Sequence, residues 1–378
     1  MITNKKILVV TTTDNMIWQF LIPHIEDLIK SGNVVECACA ETGFWFKELE
    51  EKYNFTMRKI DFPRAPLSTK TLKSRKALFN LVKENKYDLI YCHQPVGGVM
   101  GRMAGHKFKI PVIYVAHGFH FFKGCPKKNL LYKFIEKHYS RYTDALVTMN
   151  EEDYQSALKF KAKRVYKING IGFDLNKYAE LKETKEEIRE TLGLTNNDFV
   201  VTTIAEFIER KNYPAMLKAI AEAVKKDSNI KFLICGRGRL ESEINDLIEE
   251  LKITENVCVL GYRKDINRIL TATDVFMIAS YHEGLTLSVI EAMNFAIPCV
   301  VSDVRGNHDL IDHYKGGFVV EANDFAMFAQ AILELCEDNE LYKNCAVHNK
   351  NKVTNYSIDV VIEQMRKIYG DTFNEELS

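Results

Sequence analysis

The sequence contains no long apolar run. Its longest uninterrupted apolar stretches lie within DVFMIAS (274–280) and IPCVVSD (297–303), far shorter than the roughly 18 residues that a membrane-spanning helix needs. The N-terminal MITNKKILVVTTTD enters a β-branched run at once and lacks the apolar segment and small-residue cleavage site of a secretion signal. We therefore expect a cytoplasmic protein, whose contact with a membrane is limited to the periphery.

Proline, glycine and paired cysteines are also scarce. Only 8 prolines and 19 glycines occur, which excludes collagen-like repeats and linker arrays. At about 150 residues per domain, the 378 residues predict two domains or one large one. The nine cysteines are odd in number and scattered, and none forms a Cys-x-x-Cys pair. This pattern predicts reduced core residues and no metal site.

The chain has no net charge, but the two halves differ. Residues 1–170 hold 28 Lys and Arg against 16 Asp and Glu, and residues 171–378 hold 23 against 35, so the halves carry +12 and −12. A basic half suggests an anionic partner, while attraction between the halves is the simpler alternative. Since zinc spacings, RNP-like strands and helix-turn-helix signatures are absent from the sequence, we expect no nucleic acid partner.

Short β-branched runs alternate with amphipathic stretches along the whole chain. This alternation predicts an α/β protein with two doubly wound parallel sheets, and the strand ends of two such domains should meet around a common cleft. We expect a basic N-terminal Rossmann-like domain over 1–172 and an acidic C-terminal one over 173–355. The remaining segment, 356–378, is helical, and either caps the second domain or crosses back to the first.

The most informative segment is YHEGLTLSVIEAM (281–293). It leaves a strand, turns at Glu283 and Gly284, and enters a helix that contains Glu291. The backbone amides at such a helix start bind phosphate, and the two carboxylates beside them suit the hydroxyls of a sugar and of a ribose. The alternative is a capping box, in which Ser288 and Glu291 bond only to the helix backbone.

The segment EGLTLSVIEAMNFAIPCVVSD resembles the E-x7-E region of retaining glycosyltransferases of the GT-B fold, family four. Other parts of the chain resemble the bacterial capsule and exopolysaccharide branch of that family, namely AHGFHFFKG (116–124), SRYTDALVTMNEEDY (140–154), INGIGFDLNKY (168–178), IAEFIERKN (204–212) and VRGNHDLI (304–311). The resemblance implies a GT-B fold and transfer, without a metal or other cofactor, from a nucleotide sugar, most simply a UDP-sugar. It also implies a polyprenyl-diphosphate-linked saccharide as acceptor, at the inner face of the cell membrane.

The resemblance assigns roles to the donor residues. It implies that Glu283 contacts the donor sugar, that Glu291 contacts the ribose, and that diphosphate amides come from Gly284, Leu285 and Thr286. Arg210 and Lys211 follow the first strand of the second domain, where cations would neutralise a leaving diphosphate; many members of the family have an arginine where Glu206 stands. Further candidate nucleotide contacts are Gly236, Tyr262, Arg263 and Asn307.

Candidate residues of the first domain follow its strands. His117 ends a strand, where an imidazole can bond a sugar hydroxyl or relay a proton, and the resemblance implies contact with the donor sugar. His120 is either an acceptor-side residue or buried. The loop TTTDN lacks the glycines common in the family, so Asn15 is expected to offer a polar side chain to the acceptor instead.

The segment PKKNLLYKFIEKHYSRY (126–142) is basic and amphipathic. Its periodicity predicts a helix with one side formed by Leu130, Leu131, Phe134, Ile135 and His138, and with lysines elsewhere. Such a helix suits an anionic membrane surface. The alternative is a packed helix with a solvated basic face.

Two other functions remain compatible with the sequence. A nucleotide-sugar 2-epimerase shares the two-domain fold and needs no lipid acceptor. A two-domain sugar-binding protein also closes around a cleft, although such proteins are usually exported. Release of UDP in the presence of an acceptor distinguishes the transferase from both.

Overall fold

A computed structural model of the protein describes residues 2–43, 45–63, 70–178 and 180–373. The chain forms two compact units. The first comprises the residues up to Gly172 together with those from Ile358 onward, and the second is Phe173–Ser357. The last five residues of the expected C-terminal segment, 374–378, lie outside the described residues.

The first unit is built on a seven-stranded parallel sheet in the order β3-β2-β1-β4-β5-β6-β7. Its strands are β1 (Lys6–Thr13), β2 (Val34–Ala40), β3 (Thr56–Lys59), β4 (Leu89–His93), β5 (Val112–Val115), β6 (Ala145–Thr148) and β7 (Arg164–Lys167). Ile7 and Val9 of β1 face one hydrophobic core, and Leu8 and Val10 face another. Because both faces of the sheet are covered, the strands are continuously apolar rather than alternating.

Helices cover both faces of this sheet. They are α1 (Asp14–Met16), α2 (Ile22–Lys30), α3 (Phe46–Lys52), α4 (Lys70–Asn85), α5 (Pro95–Phe108), α6 (Leu130–Tyr139) and α7 (Glu151–Ala157). A π-helical turn, Ile17–Leu21, joins α1 to α2. None of the helices in the described part of the chain is long and apolar enough to cross a membrane.

The second unit has a six-stranded parallel sheet in the order β10-β9-β8-β11-β12-β13. The strands are β8 (Phe199–Ile204), β9 (Ile230–Cys235), β10 (Val257–Gly261), β11 (Val275–Ile278), β12 (Cys299–Ser302) and β13 (Gly317–Val320). The helices are α8 (Lys185–Thr191), α9 (Tyr213–Val224), α10 (Glu241–Glu250), α11 (Ile266–Ala272), α12 (Leu287–Asn294), α13 (Asn307–Leu310), α14 (Phe325–Glu337) and α15 (Asn339–Lys352).

The last helix, α16 (Ile358–Phe373), belongs to the first unit. Its apolar face enters the same core as Ile7 and Val9 of β1, through Val361, Met365, Ile368 and Tyr369. Arg366 adds an ion pair, with its Nε 3.1 Å from Asp27 Oδ2 on α2. The chain therefore leaves the first unit after Gly172 and completes it only with α16.

Both sheets reverse their winding direction at one point. In the first unit β1 and β4 are neighbours at the reversal, and in the second β8 and β11 are. Ligands of doubly wound folds bind in the crevice at the carboxyl ends of such strands. The predicted fold class, two doubly wound parallel α/β units, is confirmed, and the reversals mark where each unit is expected to hold a ligand.

Candidate functional site

In the second unit, Glu283 lies between two cations at the carboxyl ends of β8 and β11. Lys211 Nζ is 2.6 Å from Glu283 Oε1, and Arg210 Nη1 is 2.7 Å from Oε2. Glu283 and Lys211 are buried. Burial opposes ionisation of Glu283, but the two cations outweigh it and hold the pKa of the carboxyl below its usual value. Burial lowers the pKa of Lys211, although Glu283 opposes that shift.

The turn that carries Glu283 is held from the next loop along the sheet. Buried Arg305 donates its Nε to the Glu283 carbonyl oxygen at 2.8 Å. Gly306 has φ +81°, and a Cβ placed on it would lie 2.5 Å from the Gly284 carbonyl oxygen. Only glycine allows this approach without displacement of the turn, so the sequence Arg305-Gly306 fixes the backbone beside Gly284 and Leu285.

Thr286 is the N-cap residue of α12, and its side chain faces the same loop. The Thr286 hydroxyl donates to Asn307 Oδ1 at 2.6 Å, and Asn307 Nδ2 donates to Ser302 Oγ at 3.2 Å. Asn307 is fully buried. Of the predicted donor residues, Asn307, Thr286, Gly284 and Glu283 are therefore connected in one structure around the start of α12.

Glu291, one turn into α12, is buried and faces the segment that opens the second unit. Its Oε1 accepts from Lys177 Nζ at 2.8 Å and from the Tyr178 hydroxyl at 2.6 Å. The helix starts at Leu287, so Ser288 lies inside it and not at its cap. The capping-box alternative is therefore not what the structure has: Glu291 is held by two side chains more than 100 residues away in sequence.

Gly236, Tyr262 and Arg263 form a second group at the carboxyl ends of β9 and β10. The Gly236 N–H donates to the Gly261 carbonyl at 2.9 Å, and a Cβ on Gly236 would lie 1.9 Å from the Ala205 carbonyl oxygen. This close packing is sufficient to require a glycine at position 236, whether or not a nucleotide binds there. The Tyr262 ring is exposed, and Arg263 Nε donates to Asp265 Oδ1 at 2.8 Å. Their predicted role toward a nucleotide stays a prediction.

In the first unit, His117 follows β5 and is paired with a second histidine. His117 Nε2 lies 3.0 Å from Nδ1 of His93, the last residue of β4. Burial lowers the pKa of His117 to about 3 and that of His93 well below its usual value, so both imidazoles are neutral at pH 7. His117 lines a small cavity of about 130 Å³ together with His120.

A larger cavity of about 470 Å³ lies beside it at the β1/β4 reversal, and it includes both predicted acceptor-side residues, Asn15 and His120. The other lining residues are Thr12, Thr13, Thr42, Trp45, Gln94, Pro95, Val96 and Tyr132. The Trp45 ring stacks on Trp18 with centroids 4.3 Å apart. An aromatic ring together with hydroxyl and amide groups in one cavity is chemistry that suits a saccharide.

Several residues of these sites were not predicted. Gln94 lines both cavities and has φ +63° and ψ +161°, a conformation that is strained for any residue except glycine. Its position directly after a strand and before Pro95 is a sequence signal for the site. Trp45, as one of two tryptophans, and Tyr178, within the INGIGFDLNKY segment, could also have been found.

The described part of the chain has no group of three or more His, Cys, Asp or Glu side chains arranged to hold a metal ion. All nine cysteines are free, and six of them are buried, namely Cys37, Cys39, Cys92, Cys235, Cys299 and Cys345.

Two family models match the chain. Residues 6–150 match the family described as glycosyl transferase 4-like, and residues 184–352 match that described as glycosyl transferases group 1. EpsD of Bacillus subtilis, whose glycosyltransferase name is itself provisional, is 32% identical over 97% of this chain and 96% of its own. The UDP-Gal:α-D-GlcNAc-diphosphoundecaprenol α-1,3-galactosyltransferase of Escherichia coli is 31% identical over 80% of each chain.

Solved structures of other proteins share the fold of this chain. HepE of Anabaena in complex with UDP superposes with a TM-score of 0.81 over 97% of this chain and 99% of its own, at 19% identity. Sucrose-phosphate synthase of Thermosynechococcus elongatus superposes with a TM-score of 0.82 over 98% and 100%, at 17% identity. At these identities the likeness shows the fold alone.

Proposed function

Because this chain belongs to the glycosyl transferases of group 1, with the GT-B fold expected from its sequence, we propose that it is a retaining, metal-independent glycosyltransferase. The donor is a UDP-sugar and the acceptor a polyprenyl-diphosphate-linked saccharide. The product serves capsule or exopolysaccharide assembly at the inner face of the cell membrane. The relative from Escherichia coli, whose name specifies a UDP-sugar and a diphosphoundecaprenol acceptor, supports this choice of substrates.

The observation that carries the proposal is the cluster of Lys211 and Arg210 around Glu283. The second unit is acidic overall, yet two cations and the amides at the start of α12 meet at its carboxyl edge. A UDP leaving group develops negative charge on its diphosphate as the bond to the sugar breaks. Cations already fixed in place stabilise that charge without reorganisation in the transition state.

The two glutamates then divide the donor between them. Glu283 holds Lys211 and Arg210 in position and accepts a hydroxyl of the sugar. Glu291 uses Oε1 for Lys177 and Tyr178. Its second oxygen, Oε2, is the one that we assign to a ribose hydroxyl.

The transfer itself needs no protein nucleophile in this proposal. The bond between the anomeric carbon and the diphosphate oxygen breaks, and the acceptor oxygen forms its bond to the same face of that carbon. The acceptor hydroxyl proton passes to an oxygen of the departing diphosphate. Lys211 and Arg210 stabilise the leaving group throughout.

The cavity of about 470 Å³ in the first unit supports a saccharide acceptor. Asn15 and His120 supply polar groups and Trp45 supplies an aromatic face. The cavity lies at the sheet reversal, where a doubly wound domain binds its ligand.

Helix α6 supports the membrane side of the proposal. Leu130, Leu131 and Phe134 are 55%, 52% and 69% exposed, so these three apolar side chains are not packed, whereas Ile135 of the same side is partly buried. Basic residues flank it, namely Lys127, Lys128, Lys133, Lys137 and Arg141. Exposed apolar side chains bordered by lysines suit insertion among anionic lipid headgroups.

Ligand-induced shifts in melting temperature test the donor site. The panel comprises UDP, GDP, UDP-glucose, UDP-galactose, UDP-N-acetylhexosamines and GDP-mannose without added metal, on the wild type, Glu291→Ala, and the exposed control Glu250→Ala. We expect a shift with uridine nucleotides that is retained in the control and lost in Glu291→Ala. The absence of any nucleotide shift in the wild type would contradict the proposal.

UDP release then separates the three functions. A transferase releases UDP when a lipid-linked saccharide is present and forms a glycosylated lipid. An epimerase converts the nucleotide sugar without an acceptor, and a binding protein releases nothing.

A further inference from the structure

His93 and His117 of the first unit share a hydrogen bond, and their distance alone does not show which ring is the donor. His93 Nδ1 and His117 Nε2 are 3.0 Å apart, a hydrogen-bond distance. Both rings are neutral, because burial depresses both pKa values. A neutral imidazole has one N–H and one lone pair, so one ring must donate and the other accept.

The second nitrogen of His93 decides between the two directions. His93 is fully buried, and its Nε2 has no hydrogen-bond partner among the described residues. If His93 accepted at Nδ1, its proton would be on Nε2 as an unpaired buried donor. Unpaired buried N–H groups are rarer than underused acceptors, which favours a proton on Nδ1 of His93.

His93 is also held in a fixed orientation. The Tyr91 ring packs edge-on against the His93 ring at 4.3 Å between centroids. Gln94, the next residue, is fixed in its strained conformation, and its Oε1 accepts the Thr12 N–H at 2.8 Å. Because the His93 ring is restrained in this way, it can determine which tautomer His117 adopts.

We propose that His93 is a positioning residue for the transfer reaction, which donates from Nδ1 to His117 Nε2 and thereby holds His117 as the tautomer protonated on Nδ1. His117 then presents an N–H to an oxygen of the ligand in the cavity that it lines. It acts as a hydrogen-bond donor and not as a base in the resting enzyme. This inference rests on the proposed function, in which His117 contacts substrate.

Two substitutions distinguish the effect of the hydrogen-bond donor of His93 from the effect of its side-chain volume. In His93→Asn the amide Nδ2–H occupies nearly the position of Nδ1–H, whereas His93→Leu fills similar space without a donor. Without the donor, no group fixes the proton of His117 on Nδ1, so both neutral tautomers of His117 become accessible. Exposed His106, in the same unit, gives the control His106→Leu.

The direct readout is ¹⁵N NMR of the full chain labelled at histidine, with the His117 signals assigned from a His117→Asn variant. We expect a protonated Nδ1 and an unprotonated Nε2 for His117 in the wild type and in His93→Asn, and signals of both tautomers in His93→Leu. A wild-type His117 protonated on Nε2 overturns the proposal even if His93→Leu fails to fold.

The kinetic readout uses the same variants. We expect kcat to fall about tenfold or more in His93→Leu and to recover in His93→Asn, as for other residues that orient a functional histidine. The UDP melting shift should not change, because the proposed UDP contacts lie in the second unit. Equal loss in both variants, or none in His93→Leu, overturns the proposal. Failure of the proposed function is recognised separately, by absence of UDP release in the wild type, and leaves the NMR result valid.

Discussion

Glu283 shows at the scale of single residues how the proposed donor site is ordered without a ligand. Its carboxylate contacts Lys211 and Arg210, and its carbonyl oxygen accepts from Arg305. Buried ion pairs contribute little net stability, because desolvation of both charges offsets their attraction. What this cluster supplies is position, since the two cations are fixed at the place where the leaving diphosphate is expected.

Removal of either partner in this cluster should therefore affect turnover. We expect Lys211→Ala and Glu283→Ala each to lower kcat at least tenfold, which corresponds to about 1.4 kcal/mol in the barrier. The exposed pair Lys225 and Glu222 provides matched controls, Lys225→Ala and Glu222→Ala, that should leave turnover unchanged. Near-normal turnover in a folded Lys211→Ala or Glu283→Ala variant would show that the substituted side chain does not stabilise the transition state.

Gly306 allows a test of the turn beside the start of α12. In Gly306→Ala, the new Cβ would meet the Gly284 carbonyl, so the turn must move and binding of UDP should weaken about tenfold or more. Gly193→Ala is the control, because Gly193 also has a positive φ, +73°, but an open surrounding. Both variants share the roughly 1–2 kcal/mol of backbone strain. Equal UDP affinity in the two, measured by calorimetry, would contradict the role of this contact.

At the scale of elements, α6 packs on the first unit through a charged side chain, which its periodicity did not predict. Its buried side chain is Glu136, whose Oε2 lies 2.8 Å from Arg102 Nη1 and whose Oε1 accepts from the Tyr114 hydroxyl at 3.1 Å. Leu130, Leu131 and Phe134 are exposed, whereas Ile135 is partly buried. Periodicity identified the apolar side, but a partner 34 residues away decided which side is buried.

The exposed side of α6 predicts a dependence on lipid charge. Leu130→Ser and Phe134→Ser should each reduce binding to vesicles that contain phosphatidylglycerol, because each removes apolar area from the inserted surface. Val347→Ser, an exposed apolar residue of the second unit, is the control. Binding is measured by flotation. Equal binding to neutral phosphatidylcholine vesicles, or no effect of either substitution, would contradict this role.

The edge strand β3 pairs with β2 through its backbone, and one buried carboxylate adds side-chain contacts to this pairing. Glu36 on β2 accepts from Arg58 Nε on β3 at 2.7 Å and from the Tyr87 hydroxyl at 2.8 Å, and Lys6 Nζ on β1 lies at 2.8 Å. Burial opposes ionisation, but these partners lower the pKa of Glu36 to about 2. The segment TMRK is short and mostly polar, so its sequence gives little indication of a strand. The charge pairing with Glu36 helps to explain why this edge strand forms.

The depressed pKa of Glu36 makes the first unit sensitive to acid. Because the folded pKa lies below the unfolded value, the carboxylate stabilises the fold at pH 7, by up to about 3 kcal/mol, and the contribution is lost as the pH falls from about 4.5 to 2. We expect Glu36→Gln to lower the free energy of unfolding at pH 7 and to flatten its decline in acid. Glu41→Gln, in an exposed pair with Lys59, should change it by less than about 1 kcal/mol. Urea unfolding of the wild type and both variants at pH 7 and pH 3 measures these free energies. An unchanged free energy of unfolding in Glu36→Gln at pH 7 would contradict the prediction.

For the whole molecule, the strands and site residues that depend on local sequence pattern were predicted. The contacts between residues far apart in sequence were not. Eleven strands gave apolar runs, whereas β3 and β13, both at sheet edges, did not; β13 begins at Gly317, where packing against Cys299 excludes a side chain. At the candidate site, Glu283 and Lys211 were predicted and lie in contact. The His93 contact and the Lys177 contact to Glu291 were not predicted, since only the fold brings those segments together.

The position of α16 also bears on how the protein is made. The second unit is one continuous stretch of chain with its own cores, so it can fold as soon as its last residue leaves the ribosome. The first unit must wait, because Met365, Ile368 and Tyr369 of its core are synthesised only after the whole second unit. At 5–20 residues per second the intervening stretch takes about 10–40 s, during which the sheet that starts the chain lacks its covering helix. The half of the protein that is translated first is therefore the half that matures second, and nascent chains should depend on chaperones over that interval.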